Sequence, residues 1–230
     1  MTQDDRPLRE IRTFGRRDGR PLSKKQKHLY QTLFPQIEVT KDGPLTSEGL
    51  FGDARPLWLE IGFGGAEHLI RRGRLNPDVG LIGAEPFHDG VAKALTGIAD
   101  NDLKNIRLHD DDIRLVLPNF GEAAFERCFI LFPDPWPKRR QQKRRLVQPA
   151  FLDELAYALK PGAQVRFATD VMSYADEALW RFLQHGAFEW HAERADDWRN
   201  QPEDHEPTRY QLKKLGDCEP VWLEFTRRAN

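Results

Sequence analysis

From residue 57 onward the chain alternates between short apolar runs and stretches in which apolar residues recur every three or four positions. The runs read as buried strands and the periodic stretches as helices lying on them, an alternation that predicts βαβ units and a parallel sheet. Seven runs qualify, at 57–61, 79–84, 105–109, 127–132, 164–168, 188–191 and 221–226. A helix is expected over 147–159, with Leu152, Leu155 and Leu159 on one face and Pro161-Gly162 ending it. Another follows Asp170 as far as His185, carrying Ala175, Ala178, Leu179 and Phe182 and stopped by Gly186. The expected class is α/β, a seven-stranded, mostly parallel sheet with helices on both faces.

Before residue 57 the pattern is weaker. Residues 1–34 are polar and basic, and read as an arm with one short helix near 23–34. In 35–56, Pro35, Gly43, Pro44, Gly49, Gly52 and Pro56 break any long element, so this segment is expected to link the arm to a domain spanning 57–230. At 230 residues the chain suits one α/β domain.

Charge changes this picture more than composition does. The net charge of −1 hides an asymmetry: residues 6–28 hold nine Lys and Arg against Glu10 and Asp18. A second run, 138–145, has six basic residues in eight and no acid. Either alone reads as a solvated face; two flanking a candidate site favour a nucleic acid, whose phosphates supply most non-specific affinity. No stretch approaches a membrane span, and the first residues lack the apolar core of a signal peptide, so a cytoplasmic protein is expected. Two cysteines without C-x-x-C spacing, and no His pair at metal spacing, suggest neither a disulfide framework nor a metal site. Nothing in the pattern calls for an obligate protein partner.

The candidate chemistry gathers at strand ends, where ligands of open parallel sheets bind. After the first strand, Gly62, Gly64 and Gly65 make a tight turn into a helix starting near Glu67. A nicotinamide fingerprint would need a glycine at position 67, and a phosphate loop would need Gly-Lys-Ser/Thr; both are missing. Glu60, two positions before the first glycine, is costly at the end of a buried strand unless something pairs with it, and a cationic ligand group would serve. Glu85 follows the second strand, 23 residues after Gly62, close to the spacing at which an acid meets ribose hydroxyls. The third strand runs into Asp110-Asp111-Asp112, any of which could accept from an adenine amino group or cap the next helix. The fourth delivers Pro133-Asp134-Pro135-Trp136-Pro137-Lys138, three prolines that would fix Asp134 and Trp136 in place. An aromatic and a carboxylate so held suit a splayed-out base, one for its face and one for its edge. Asp170 ends the fifth strand and is also placed to cap the helix after it.

The glycine turn with its acid resembles the first motif of class I S-adenosylmethionine (SAM) methyltransferases, a Rossmann-like fold whose ligand carries a positive amino group and no phosphate. Taken with 132–138, Ala168-Thr169-Asp170 and Thr208-Arg209-Tyr210-Gln211, the chain resembles the tRNA (guanine-N7-)-methyltransferase family over about residues 55–226. The resemblance implies that Glu60, Gly62, Gly64, Glu85, Asp112 and Asp134 hold SAM and that Asp134 is the catalytic residue. It implies that Lys138, Asp170, Thr208, Arg209, Tyr210 and Gln211 meet the tRNA, whose target is the variable-loop guanosine at position 46. Two departures stand out: Ala66 replaces a usual glycine, and Gln211 a usual Glu. An adenine amino-group methyltransferase would show a second proline where Trp136 stands, and a non-catalytic RNA-gripping subunit would not need the acids at Glu60, Glu85 and Asp134.

Overall fold

In a computed structural model, residues 17–229 are described. All seven expected strands form: β1 (Leu57–Ile61), β2 (Gly80–Ala84), β3 (Ile106–His109), β4 (Phe125–Leu131), β5 (Leu159–Thr169), β6 (Phe188–Trp190) and β7 (Val221–Arg227). They make one sheet in the order β3-β2-β1-β4-β5-β7-β6. Every pairing is parallel except those of β7, which runs antiparallel to both β5 and β6. Strand order therefore reverses between β1 and β4, and a ligand crevice belongs at their carboxyl ends.

The helices are α1 (Lys24–Thr32), α2 (Phe34–Ile37), α3 (Ser47–Phe51), α4 (Glu67–Leu75), α5 (His88–Asp100), α6 (Pro149–Ala158), α7 (Met172–His185) and α8 (Asp196–Arg199). Their apolar stripes cover the two faces unequally. On one face Leu57, Leu59, Ile61, Cys128, Ile130, Val165 and Phe167 meet Phe151, Leu152 and Leu155 of α6 and Tyr174, Ala178 and Phe182 of α7. On the other, Leu81, Ile106 and Leu108 meet Leu69 of α4 and Val91, Leu95 and Ile98 of α5. Over β4, β5 and β7 that second face is covered instead by the segment between β6 and β7.

Two expectations are corrected. The helix ends at Ala158 and not at Pro161-Gly162, because Leu159 already has extended backbone and pairs with Phe125. Pro161 and Gly162 lie inside β5, where the register jumps from Phe125↔Leu159 to Arg127↔Gln164. A proline without an N–H and a glycine at φ +83° suit residues bulged out of a ladder. Residues 17–56, expected as the end of an arm and a linker, pack on the domain. Ser23 and Gln26 close a capping box on α1, which lies against α5. Val39 is fully buried, its N–H donating to Leu108 O at 2.8 Å. The expected arm's residues 1–16 lie outside the described residues.

Candidate active site

Two hollows meet at the carboxyl ends of β1, β2 and β4. One, of about 290 Å³, is lined by Gly62, Gly64, Glu85, Asp111, Asp112, Asp134, Trp136, Arg144 and Tyr210 among others. The second, about 550 Å³, takes in Glu60, Glu67, His68, Thr208 and Arg209 and shares Gly62, Gly64, Phe132 and Tyr210 with the first. Gly62 and Gly64 have φ of +72° and +52°, the left-handed region that a side chain resists. Opposite them, a Cβ on Gly90 would stand 2.4 Å from Gly64 O, so the start of α5 can lie this close to the turn only as glycine. Ala66 also has φ +64°, which explains why a glycine suits that position.

Each acid is held differently. Glu85 accepts from Gly64 N–H at 2.8 Å and Phe87 N–H at 2.9 Å. Burial raises its pKa against those two hydrogen bonds, and the charges of Asp134 and Glu60 push the same way. Glu85 and Asp134 line the smaller hollow, and Glu60 lines the larger one beside it. Glu60, 3% exposed, accepts from His68 Nδ1 at 2.7 Å, and His68 Nε2 in turn accepts from Arg72 Nε at 3.1 Å. Its partner within the chain is therefore an imidazole. Asp112 is bound to Arg114 at 2.6 Å and caps a short 3-10 turn, while Asp111 pairs with Arg17 at 3.2 Å. Asp134 has no hydrogen-bond or ion-pair partner among the described residues, and burial raises its pKa. It opens onto the crevice from a loop whose Phe132 and Trp136 both have positive φ, +53° and +42°.

The basic run after this loop divides by function. Lys138, Arg139, Arg140 and Lys143 are exposed, and Lys138 lies outside both hollows. Arg144 stacks on Trp136, its guanidinium 5.0 Å from the ring centre. Arg145 is 2% exposed and binds Pro135 O at 2.7 Å, Ser173 O at 2.9 Å and Glu177. It clamps the proline loop to α7, a role that a run of like charges in sequence conceals.

Asp170 is buried beneath Tyr210, whose hydroxyl donates to it at 3.3 Å. It does not cap α7: Asp217 Oδ1 takes Met172 N–H at 2.8 Å, and the cap position belongs to Val171. Chain geometry explains this, since Asp217 and Cys218 donate to Asp170 O and bring Asp217 over the helix start. Gln211 turns inward, its Oε1 accepting from Thr208 N–H at 2.9 Å and facing His205 Nε2 at 2.7 Å. Arg209 is exposed and faces Glu67 at 3.4 Å. His68, Arg72, Asp204 and His205, which bind this region together, carry no sequence motif; only their contacts reveal them.

A protein-family model described as "Putative methyltransferase" matches residues 54–221. A tRNA (guanine-N(7)-)-methyltransferase of Hyphomonas neptunium is 54% identical, the alignment covering 95% of this chain and all of that one. The chain belongs to the tRNA (guanine-N(7)-)-methyltransferase family. A tRNA (guanine-N(7)-)-methyltransferase of Caulobacter vibrioides is 47% identical, with 99% of this chain and all of the relative covered. Among solved structures, the 16S rRNA methyltransferase KamB superposes with a TM-score of 0.59 at 16% identity, covering 79% of this chain and 92% of that one. Membership makes the chain a methyltransferase, built on a fold shared far beyond its own family.

Proposed function

We propose that the protein transfers the methyl group of SAM to N7 of the variable-loop guanosine, position 46, in tRNA. One observation carries the reading: Asp134, with no hydrogen-bond or ion-pair partner among the described residues, lines one of two adjoining hollows together with Glu85, and Glu60 lines the other. The donor set suits SAM, since carboxylates take an ammonium and hydroxyls and repel a phosphate. Glu85, Asp112 and the glycine turn would hold its nucleoside end, and Glu60 its amino group. When bound, SAM supplies a methyl group on a positively charged sulfur.

Guanine N7 has an in-plane lone pair and no proton, so no general base is required. The protein's work is to align N7 with the methyl group and to stabilise the positive charge that grows on the base. Asp134 is assigned both tasks, since its carboxylate lines the crevice and has no partner among the described residues. Thr208 and Tyr210 would frame the nucleoside, supported from behind by Gln211 and Asp170, with Arg209, Lys138 and the exposed cations after it on the phosphates. The basic residues of the N-terminal 34 positions are assigned to the same polyanion.

Incubation with labelled SAM and tRNA lacking the modification, followed by nucleoside analysis, should yield 7-methylguanosine. Label in another nucleoside, or none, would overturn the reading.

A further inference from the structure

We propose that Asp204 is a positioning residue: it tethers the loop 204–213 to the open face of the sheet, so that Thr208 and Tyr210 stand at the crevice before tRNA arrives. The inference rests on the reading above, in which this loop meets the target guanosine.

The sheet face beneath the loop is built for such a tether. Register places Glu60, Phe129, Arg166 and Glu224 on one rung across β1, β4, β5 and β7. Arg127 on β4 and Arg72 on α4 join them, so that three guanidinium groups stand over the Phe129 ring at 4.9, 5.4 and 5.9 Å. Arg72 and Arg166 are 5% and 4% exposed. Asp204 answers all three: Oδ1 meets Arg166 Nη1 at 2.8 Å, and Oδ2 meets Arg72 Nη2 at 2.8 Å and Arg127 Nη2 at 3.4 Å. Its backbone oxygen accepts from Arg71 and Arg72 as well, both at 2.8 Å.

From this point the loop's own contacts follow in order. His205 stacks on His68 with ring centres 5.5 Å apart, leans on Trp222 at 4.5 Å, and reaches Gln211. Gln211 and Thr208 cap each other, and Tyr210 arrives over Phe132 and Asp170. Beyond Tyr210 the loop rises to the surface, with Leu212 and Leu215 72% and 67% exposed, and the chain is next held at Asp217 and Cys218, whose N–H groups donate to Asp170 O. Without Asp204 the three guanidinium groups would lose their shared carboxylate, and like-charge repulsion would act where the loop now docks. Arg127 already feels this crowding: burial lowers its pKa, and Arg166 and Arg72 lower it further. A loop ordered in advance spares tRNA the cost of ordering it on binding.

The test compares Asp204→Ala, Asp204→Asn and Asp204→Glu in the full chain. SAM affinity is measured by calorimetry, tRNA KM and kcat by methyl transfer, and loop order by hydrogen exchange. In Asp204→Ala the KM for tRNA should rise about tenfold or more while SAM affinity stays within about twofold, with partial recovery in Asp204→Glu. Residues 205–213 should lose exchange protection in step. Unchanged tRNA kinetics in an active, folded Asp204→Ala protein would overturn the inference alone, as would equal losses of SAM and tRNA binding. Should Asp204→Ala fail to fold, the near-isosteric Asp204→Asn decides by the same criteria. Loop amides of the unaltered protein exchanging at open-chain rates would also refute it. An unaltered protein that binds SAM yet makes no 7-methylguanosine brings down the proposed function first, and this inference with it.

Discussion

Two loops close the crevice, and they are held by different forces. The proline loop after β4 is fixed through its backbone: Pro133, Pro135 and Pro137 lock φ, Phe132 and Trp136 sit in the left-handed region, and Arg145 grips a carbonyl from behind. The 204–213 loop has little regular structure and is fixed through side-chain charge, with Asp204 set among three arginines. They meet where the Phe132 and Tyr210 rings lie 5.6 Å apart. Backbone restraint is indifferent to pH and salt, whereas a tether of ion pairs and histidines answers to both. The loop bearing Asp134 is thus the less sensitive one.

Replacing Asp134 by Ala should sharpen the contrast most. Methyl transfer should fall about a hundredfold to a thousandfold or more, as when a charge-stabilising group is removed from a reacting centre. The thermal midpoint should hold or rise, because burial makes the charged form of this group costly in the folded state. Kinetics and calorimetry on one preparation check both.

Next in size is the clamp. Arg145→Met should cost about 1–3 kcal/mol of stability in denaturant unfolding, since Pro135 O and Ser173 O would lose a donor while Glu177 keeps Arg181. Equal stability would show that the prolines alone hold the loop.

Acid should separate the two loops. Burial lowers the His205 pKa from an ordinary 6.5 to about 4, and its Nδ1 is buried with no partner among the described residues. The docked loop therefore binds fewer protons than the open one, and docking should weaken as pH falls from about 6.5 to 4. Asp204, whose pKa the arginines depress to about 2 against the opposing effect of burial, should hold until far lower pH. Hydrogen exchange, corrected for intrinsic rates, should show 204–213 loosening across that window while 133–137 does not.

The smallest effect lies at the glycine turn. Ala66→Gly should add about 0.5–1 kcal/mol by relieving left-handed strain, seen as a higher unfolding midpoint with little change in SAM affinity.

Sequence periodicity located all seven strands and the helices α6 and α7 because each buries a regular stripe. It missed the ends of β5 because Leu159, the last residue of a helical stripe, is also the first of a ladder, a choice that only pairing with Phe125 settles. Motif spacing led to Glu60, Glu85 and Asp134, and the fold brings them around adjoining hollows. The tether was illegible for a definite reason. Arg72, Arg127, Arg166 and Asp204 come from a helix, two strands and a loop, and no local pattern announces that they will share one ring and one carboxylate. Asp170 illustrates the opposite error, a residue at the right offset for a cap that distant Asp217 supplies instead.

The burial of Arg145 changes how the neighbouring sequence should be weighed against a polyanion. Six letters suggest six handles for RNA, yet one is a structural rivet and one lies across an indole, leaving four pointed outward. Counterion release should therefore track four charges in this stretch, and an electrostatic map drawn from residue counts alone would overstate its grip by half.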